Sequence, residues 1–300
     1  MMGTDELPLV SIQCLVYNHE PYLRQCLDGF VMQKTNFKLE AIVHDDVSTD
    51  GSAAIIREYA EKYPDIIKPI FETENQYSKH DGSLERIMHD ACKGKYIALC
   101  EGDDYWIDPM KLQKQVDFME GNLEHSLCIT AYKEEWGDIK FVNKHRYTSN
   151  VLISPMRDIL LENGAFFSTA TMLFRASMYE RPFWWNNLPI GDIPTLIVLA
   201  HNGHVGYINE ETTVYRRFVP GSWSTTSKKN IQSIKNLHLS LIRMWWGYNK
   251  WTKNKYLPYL LYNIVKEYFE LCKRILLIIL KALTPDLLLR FRKYIIGLLK

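Results

Sequence analysis

The sequence predicts an α/β protein, a three-layer α/β/α arrangement on a mostly parallel sheet, followed by a helical C-terminal extension. Three observations predict it. Short β-rich runs alternate with amphipathic helical segments over the first 120 or so residues, the pattern of strands joined by covering helices. Three of those runs end in polar or acidic clusters. From about Ser227 onward the pattern is helical throughout.

Leu9 to Tyr17 (LVSIQCLVY) is the first strand and ends at Asn18-His19-Glu20-Pro21. Leu23, Cys26, Leu27, Phe30 and Val31 then share one face of a helix over Tyr22–Gln33. Leu39 to Val43 is a strand that breaks at His44-Asp45-Asp46, and a helix follows Gly51 as far as Tyr63, stopped by Pro64. Ile66 to Phe71 is a strand, Leu84 to Cys92 a helix capped by Gly94, Lys95 to Cys100 a strand, and Lys111 to Asn122 a helix. An irregular, aromatic stretch runs to about Trp223; within it Thr169–Phe174 reads as a strand and Asp192–His201 as a helix. Thr284-Pro285-Asp286 marks a helix start, with Thr as N-cap and Pro at the first position. Residues 1–225 are expected to form one domain, with a ligand-binding half over 8–120 and an acceptor-side half over 121–225, and residues 226–300 a separate helical extension.

Composition narrows the class. Apolar residues make up 47% and charged residues 24% of the 300, which excludes a disordered or collagen-like chain. The six cysteines (14, 26, 92, 100, 128, 272) form no CxxC pair, so a disulfide scaffold or zinc ribbon is not expected. Reduced thiols in a cytoplasmic protein are. MMGTDELPLV lacks the basic and apolar regions of a signal peptide, and no apolar run reaches the length of a membrane span. Net charge is +1, yet Lys250 to Lys300 carries eleven Lys/Arg against three Asp/Glu, leaving the rest of the chain acidic. Nothing in this balance points to nucleic acid as a partner.

In an open parallel sheet, ligands gather beyond the carboxyl ends of the strands. Tyr17-Asn18-His19-Glu20, His44-Asp45-Asp46 and Glu101-Gly102-Asp103-Asp104 stand at three such ends. If the strands are neighbours, about five carboxylates face one crevice. A divalent cation offsets that charge, and hard oxygen ligands suit Mg2+ or Mn2+ bridging to substrate phosphates. No GxxxxGK[ST] loop and no GxGxxG follows the first strand, which disfavours P-loop and dinucleotide-binding chemistry.

Tyr17-Asn18-His19-Glu20, Asp45-Asp46-Val47-Ser48-Thr49-Asp50-Gly51 and Glu101-Gly102-Asp103-Asp104-Tyr105-Trp106, in this order and spacing, resemble the nucleotide-sugar-binding half of glycosyltransferase family 2. The resemblance implies the GT-A fold, a nucleotide-sugar donor (a UDP-sugar by the family's usual preference) and an inverting single displacement. It implies that Asp46 accepts a hydrogen bond from the nucleobase, with Asp45 beside it and Tyr17, Asn18 and Glu20 lining base and ribose. Asp103, in an E-x-D form of the family's DxD motif, is implied to hold the metal with Asp104, supported by Glu101. Asp192 falls where the family keeps its catalytic base. Arg86 is a candidate for the donor phosphates. Tyr215-Arg216-Arg217-Phe218-Val219-Pro220-Gly221-Ser222-Trp223-Ser224 resembles a YRxHxxGxWS element, with Phe218 in place of the usual His. Arg216 is expected to pair with the diphosphate, and Trp223 to line the site.

Two other readings stay open: a nucleotidyltransferase, though Tyr17 to Tyr22 offers no Gly-rich basic loop, and a nucleotide-sugar-binding relative that has lost activity through Phe218. In the tail, residues 256–283 and 286–299 are broad apolar helices rimmed by Lys266, Lys273, Arg274, Lys281, Arg290, Arg292 and Lys293. They predict peripheral docking on an anionic membrane surface, where each basic residue adds about 1 kcal/mol, with a helical cap or dimer contact as the alternative. The acceptor is then a glycan or a lipid-linked saccharide.

Overall fold

The computed structural model describes residues 7–79, 81–136, 139–151, 153–162, 167–186, 188–220 and 231–282, with the side chains of 139–141 and 279–282 left out. The chain divides into two compact units, Met1–Gly221 and Ser222–Lys300.

The first unit opens with the alternation that the sequence predicts: β1 (Val10–Val16), α1 (Glu20–Val31), β2 (Leu39–Asp45), α2 (Ser52–Lys62), β3 (Ile67–Phe71), α3 (Ser83–Ala91) and β4 (Tyr96–Leu99). A two-residue strand β5 (Tyr105–Trp106), α4 (Lys111–Gly121), β6 (His125–Trp136), β7 (Ile139–Lys144), α5 (Met156–Leu161), β8 (Leu173–Arg175), α6 (Asp192–Asn202) and β9 (His204–Arg217) complete it. The sheet order is β3-β2-β1-β4-β8-β6-β9-β5, with β7 on β6. The first four strands are parallel. β8 runs antiparallel to both its neighbours, β6 and β9 are parallel, and β5 returns antiparallel on β9. The parallel expectation therefore describes the β3-β2-β1-β4 half, and the sheet is mixed beyond it.

Strand alternation sends side chains to two faces. Val10, Ile12, Cys14 and Val16 of β1 pack with Leu23, Leu27 and Phe30 of α1, Ile55 and Ile56 of α2, and Leu112 and Val116 of α4. On the other face Ile42 meets Leu84 and Met88 of α3, while Ile97, Leu127, Ile129 and Tyr207 meet Ile159 of α5 and Leu196 and Leu199 of α6. Helices thus cover both faces, giving three layers. Trp106 anchors the middle: its indole N–H donates to the Ala170 carbonyl at 2.9 Å, and its ring meets Phe30 edge-on at 5.0 Å.

Thr169–Phe174 differs from its predicted strand. Thr169–Thr171 forms a 3-10 turn and the strand starts at Leu173. The Thr171 hydroxyl donates to the Ser168 carbonyl at 2.6 Å, a local bond that competes with strand pairing.

In the second unit, α7 (Ile231–Trp251) and α8 (Leu257–Ala282) pack together. His238 Nδ1 and Glu267 Oε2 join them at 2.6 Å. Leu260, Ile264 and Leu271 of α8 are buried, whereas Leu261, Tyr262, Val265, Tyr268, Phe269, Leu276 and Leu277 are exposed. Among the described residues no helix is long and apolar enough to cross a membrane. The helix start at Thr284 and the basic residues Arg290, Arg292 and Lys293 lie outside the described residues.

Candidate active site

The sheet satisfies the condition on which a shared crevice depends. β2, β1 and β4 are adjacent and parallel, so 17–20, 44–46 and 101–104 leave the same edge. Asp46 N donates to Val16 O at 3.0 Å and Gly102 N to Leu15 O at 3.0 Å, tying both acidic clusters to the end of β1.

The loops after β1 and β2 are sewn together. Asn18 N donates to Ser48 Oγ at 2.9 Å, and Thr49 N to Asn18 Oδ1 at 2.7 Å. Glu20 N donates to Asp50 Oδ2 at 3.0 Å, and Gly51 N returns the bond to Glu20 Oε2 at 2.8 Å. Asn18 and Glu20 are therefore braces of the loop pair, while Tyr17 is half exposed beside them. Asn18 (φ 56°) and Val47 (φ 66°) both take the left-handed region. For β-branched Val47 that conformation costs about 1–3 kcal/mol and is the kind of strain that collects at ligand sites.

Asp45 and Asp46 are both buried but face different partners. Asp46, expected at the nucleobase, accepts instead from Gln76 N at 2.6 Å and Tyr77 N at 3.0 Å. Its carboxylate shapes the 75–78 turn. Asp45 Oδ1 is buried with no hydrogen-bond partner among the described residues, a state that costs about 1–3 kcal/mol and that a donor group on a ligand relieves. The open acceptor on this strand end is thus Asp45.

Asp103 and Asp104 are buried, whereas Glu101 is exposed. Desolvation of its carboxyl by the protein around it, then the charge of Asp103, then that of Asp192, push Glu101 above its usual range. Burial and Asp103 push Asp104 well above, with the Arg216 amide and guanidinium pulling the other way. Asp192 starts α6, accepts from Ile193 N at 2.8 Å, and is pushed up by its surroundings. Its charge acts on Glu101 across 91 residues of sequence. Gly102 is required here, since a Cβ would stand 2.7 Å from His19 Nδ1.

Arg216, expected at the diphosphate, is engaged by the protein. Its guanidinium donates to Asp103 O at 2.8 Å and to Gln25 Oε1, and pairs with Glu135 at 3.2 Å. It lies over the Tyr105 ring at 4.3 Å and the Tyr22 ring at 5.1 Å. Its own amide donates to Asp104 Oδ1 at 2.9 Å. Arg216 positions the acidic loop. Phe218 (φ 62°) is exposed and packs edge-on against Trp136 at 5.4 Å, and its side chain offers no ligand atom. Trp223 lies outside the described residues.

Arg86 on α3 donates to Asp81 O at 3.1 Å. With Arg181 it flanks Gly82, whose Cβ position is 3.4 Å from the Arg86 guanidinium and 3.6 Å from that of Arg181. Two guanidiniums this near one another suit an anion. Arg181 also pairs with Glu85 at 3.4 Å and lines a crevice with Gln76, Tyr77, Leu84 and Leu188. No motif marks Arg181, Gln76 or Tyr77 in the sequence; only the fold brings them to this crevice.

Glu101, Asp103 and Asp104 fit a hard divalent ion. They are oxygen donors on one loop, Glu101 and Asp104 are pushed toward protonation, and the guanidinium beside them bonds to the Asp103 carbonyl and to Glu135 rather than to a carboxylate of these three.

A mixed α/β sheet carrying clustered acids at the carboxyl ends of its parallel strands is the architecture of nucleotide-sugar transferases of the GT-A class. The sequence profile of Glycosyl transferase family 2 matches residues 11–183, and the chain belongs to that family. It is 33% identical over 222 residues to the uncharacterized protein Rv1520 of Mycobacterium tuberculosis (strain H37Rv), covering 71% of this chain and 60% of that one. The chain thus spans about 60% of the length of this curated relative. Among solved structures, it is similar in fold to the mannosyltransferase PcManGT of Pyrobaculum calidifontis in complex with GDP-Man and Mn2+ (TM-score 0.53, 16% identity, 93% of this chain and 80% of that one). TarS of S. aureus in complex with UDP-GlcNAc is likewise similar (TM-score 0.54, 14% identity, 78% of this chain and 66% of that one).

Proposed function

We propose that this chain transfers a sugar from a nucleoside diphosphate sugar, with uridine as the base, to a hydroxyl of a glycan or lipid-linked acceptor, with inversion at the anomeric carbon. The observation that carries the reading is the clustering of Glu101, Asp103 and Asp104 beyond β4, at the carboxyl edge that it shares with β1 and β2. Asp45 Oδ1 accepts from the base, and Tyr17 lines it. Arg86 and Arg181 approach the phosphates. Asp103 and Asp104, supported by Glu101, would hold Mg2+ or Mn2+, which would supply positive charge to a departing diphosphate. Asp192 takes the proton of the acceptor hydroxyl as its oxygen bonds to the anomeric carbon and the sugar–phosphate bond breaks.

PcManGT with GDP-Man and Mn2+ and TarS with UDP-GlcNAc support a nucleotide-sugar donor and a divalent ion. The exposed apolar face of α8, with Lys266 and Lys273 beside it, supports docking of the second unit on an anionic membrane, where a lipid-linked acceptor resides. Vesicle sedimentation that is unchanged by Val265→Glu with Phe269→Glu refutes that part.

Thermal stability with Mn2+ or Mg2+ against a panel of nucleoside diphosphates and nucleotide sugars tests the whole. A metal-dependent shift for one diphosphate that Asp103→Ala abolishes supports it. No shift for any diphosphate overturns it. Phe218, which cannot ligate an ion, favours a second reading, a relative that binds the donor without turning it over. A thermal shift without any donor hydrolysis selects that reading.

A further inference from the structure

We propose that Glu124, His125 and His204 form a second metal site, of the zinc class, at the edge of the first unit opposite the acidic crevice. β6 and β9 are parallel, and His125 is the register partner of His204 at their amino-terminal ends. The crevice lies at the other end of β9, where Arg216 meets Asp103 and Asp104. Twelve residues of strand separate His204 from Arg216, about 40 Å at ~3.3 Å per residue. The two clusters are therefore independent.

One ligand atom from each of the three side chains lies within 4.8 Å of the other two. His125 Nδ1 is 3.7 Å from Glu124 Oε1, and the two imidazoles cross at 83° with centroids 5.4 Å apart. A tetrahedral ion with bonds of about 2.0–2.2 Å needs only a small inward rotation of the exposed Glu124 and His204 side chains. His125 is buried and held: Phe118 packs edge-on against its ring at 5.2 Å. That contact requires Gly206, since a Cβ there would stand 2.2 Å from the Phe118 ring. The backbone around the ligands is pinned as well. His204 N donates to Glu124 O at 3.0 Å, and Ser126 Oγ bonds to Leu199 O at 2.6 Å and His204 O at 3.2 Å. One ligand is fixed, two are free to close, and solvent supplies the entry path and the fourth position.

The donor set decides the ion. Two imidazoles and one carboxylate suit Zn2+ and, with it, Co2+ or Ni2+, whereas the all-oxygen crevice suits Mg2+ or Mn2+. The chain thus carries two sites of different chemical preference. An ion here clips the end of α6 and the start of β9 to β6. α6 begins at Asp192, about 16 Å away along its axis, so the clip steadies the helix that carries Asp192 without touching substrate.

The test is zinc binding to the metal-free full chain by calorimetry, with thermal midpoints and the visible spectrum of the Co2+ form. The variants are His204→Ala and Glu124→Gln, both exposed positions, and Asp103→Asn. The expected result is one zinc per chain in wild type and Asp103→Asn, lost in His204→Ala and weakened in Glu124→Gln, with an intense tetrahedral Co2+ spectrum that follows the same pattern. The Mn2+ response, in turn, is lost in Asp103→Asn and kept in His204→Ala. Zinc binding that persists in His204→Ala, or that disappears in Asp103→Asn, overturns the proposal, as does binding only at millimolar zinc.

Discussion

The main-chain amide of Arg216 donates to the Asp104 carboxylate at 2.9 Å while its guanidinium holds the neighbouring Asp103 carbonyl at 2.8 Å. One residue at the end of β9 therefore grips the acidic loop after β4 twice, once through backbone and once through side chain. Changing the Arg216 side chain removes only the second grip.

Arg216→Lys keeps the charge but loses the forked contacts to Asp103 O, Gln25 and Glu135. Hydrogen bonds to charged groups are worth about 1.5–3 kcal/mol each. The expected outcome is a folded protein of lower midpoint whose Mn2+ titration is weakened roughly tenfold or more. An unchanged Mn2+ titration refutes the positioning role.

Asp45 and Asp46 are adjacent and separable. Asp46→Asn replaces one acceptor oxygen by an amide that faces a backbone N–H, and should lose about 1–3 kcal/mol in denaturant unfolding. Asp45→Asn leaves the turn intact, so stability should hold while the thermal shift with nucleoside diphosphates shrinks. Equal behaviour of the two variants in both measurements contradicts the division.

Glu101 and Asp104 are both pushed above the ordinary carboxylate range of about 4. Carboxyls raised by burial and like charge favour the folded state when protonated. Without metal, their contribution is present at low pH and fades as pH rises through the raised values. Metal binding must displace those protons, so Mn2+ affinity should climb with pH over the same window. Proton release on Mn2+ addition, followed by calorimetry in two buffers, checks this, and Glu101→Gln should reduce it.

Lys111 is fully buried, with Nζ 4.3 Å from the Trp106 ring centre and 2.6 Å from Gln115 Oε1. Burial pushes its amine down to about 7. A depressed lysine favours folding when neutral, so its contribution is present above the unfolded value of about 10.4 and is lost progressively as pH falls to about 7. Lys111→Met should raise the thermal midpoint at neutral pH and flatten its decline between about pH 10 and pH 7. An equal decline in both proteins argues against this amine as the cause.

The elements of the first 121 residues, apart from the two-residue β5, were legible because their apolar spacing switches cleanly between strand and helix. The long strands β6 and β9 were not, since Lys133, Glu135, Glu210 and Glu211 interrupt their apolar runs and bulges near Thr130–Tyr132 break the alternation. The acids at the strand ends could be located from sequence, because a parallel sheet places its ligands there. Which of Asp45 and Asp46 stays open could not, because the answer depends on the 76–77 amides. Arg216 looked like a phosphate ligand for the same reason: its partners Gln25 and Glu135 are distant in sequence. Arg181 reaches Gly82 only through the fold.

The reciprocal bonds between the loops after β1 and β2, from Asn18 and Glu20 to Ser48, Thr49, Asp50 and Gly51, have a practical consequence for re-engineering donor choice. Neither loop is an independent module, because each supplies donors and acceptors that the other leaves open. A graft of residues 17–20 from a relative would arrive without its counterpart, and so would one of 46–52. Exchanged as a matched cassette, the two should carry a different base preference onto this sheet without a loss of folding.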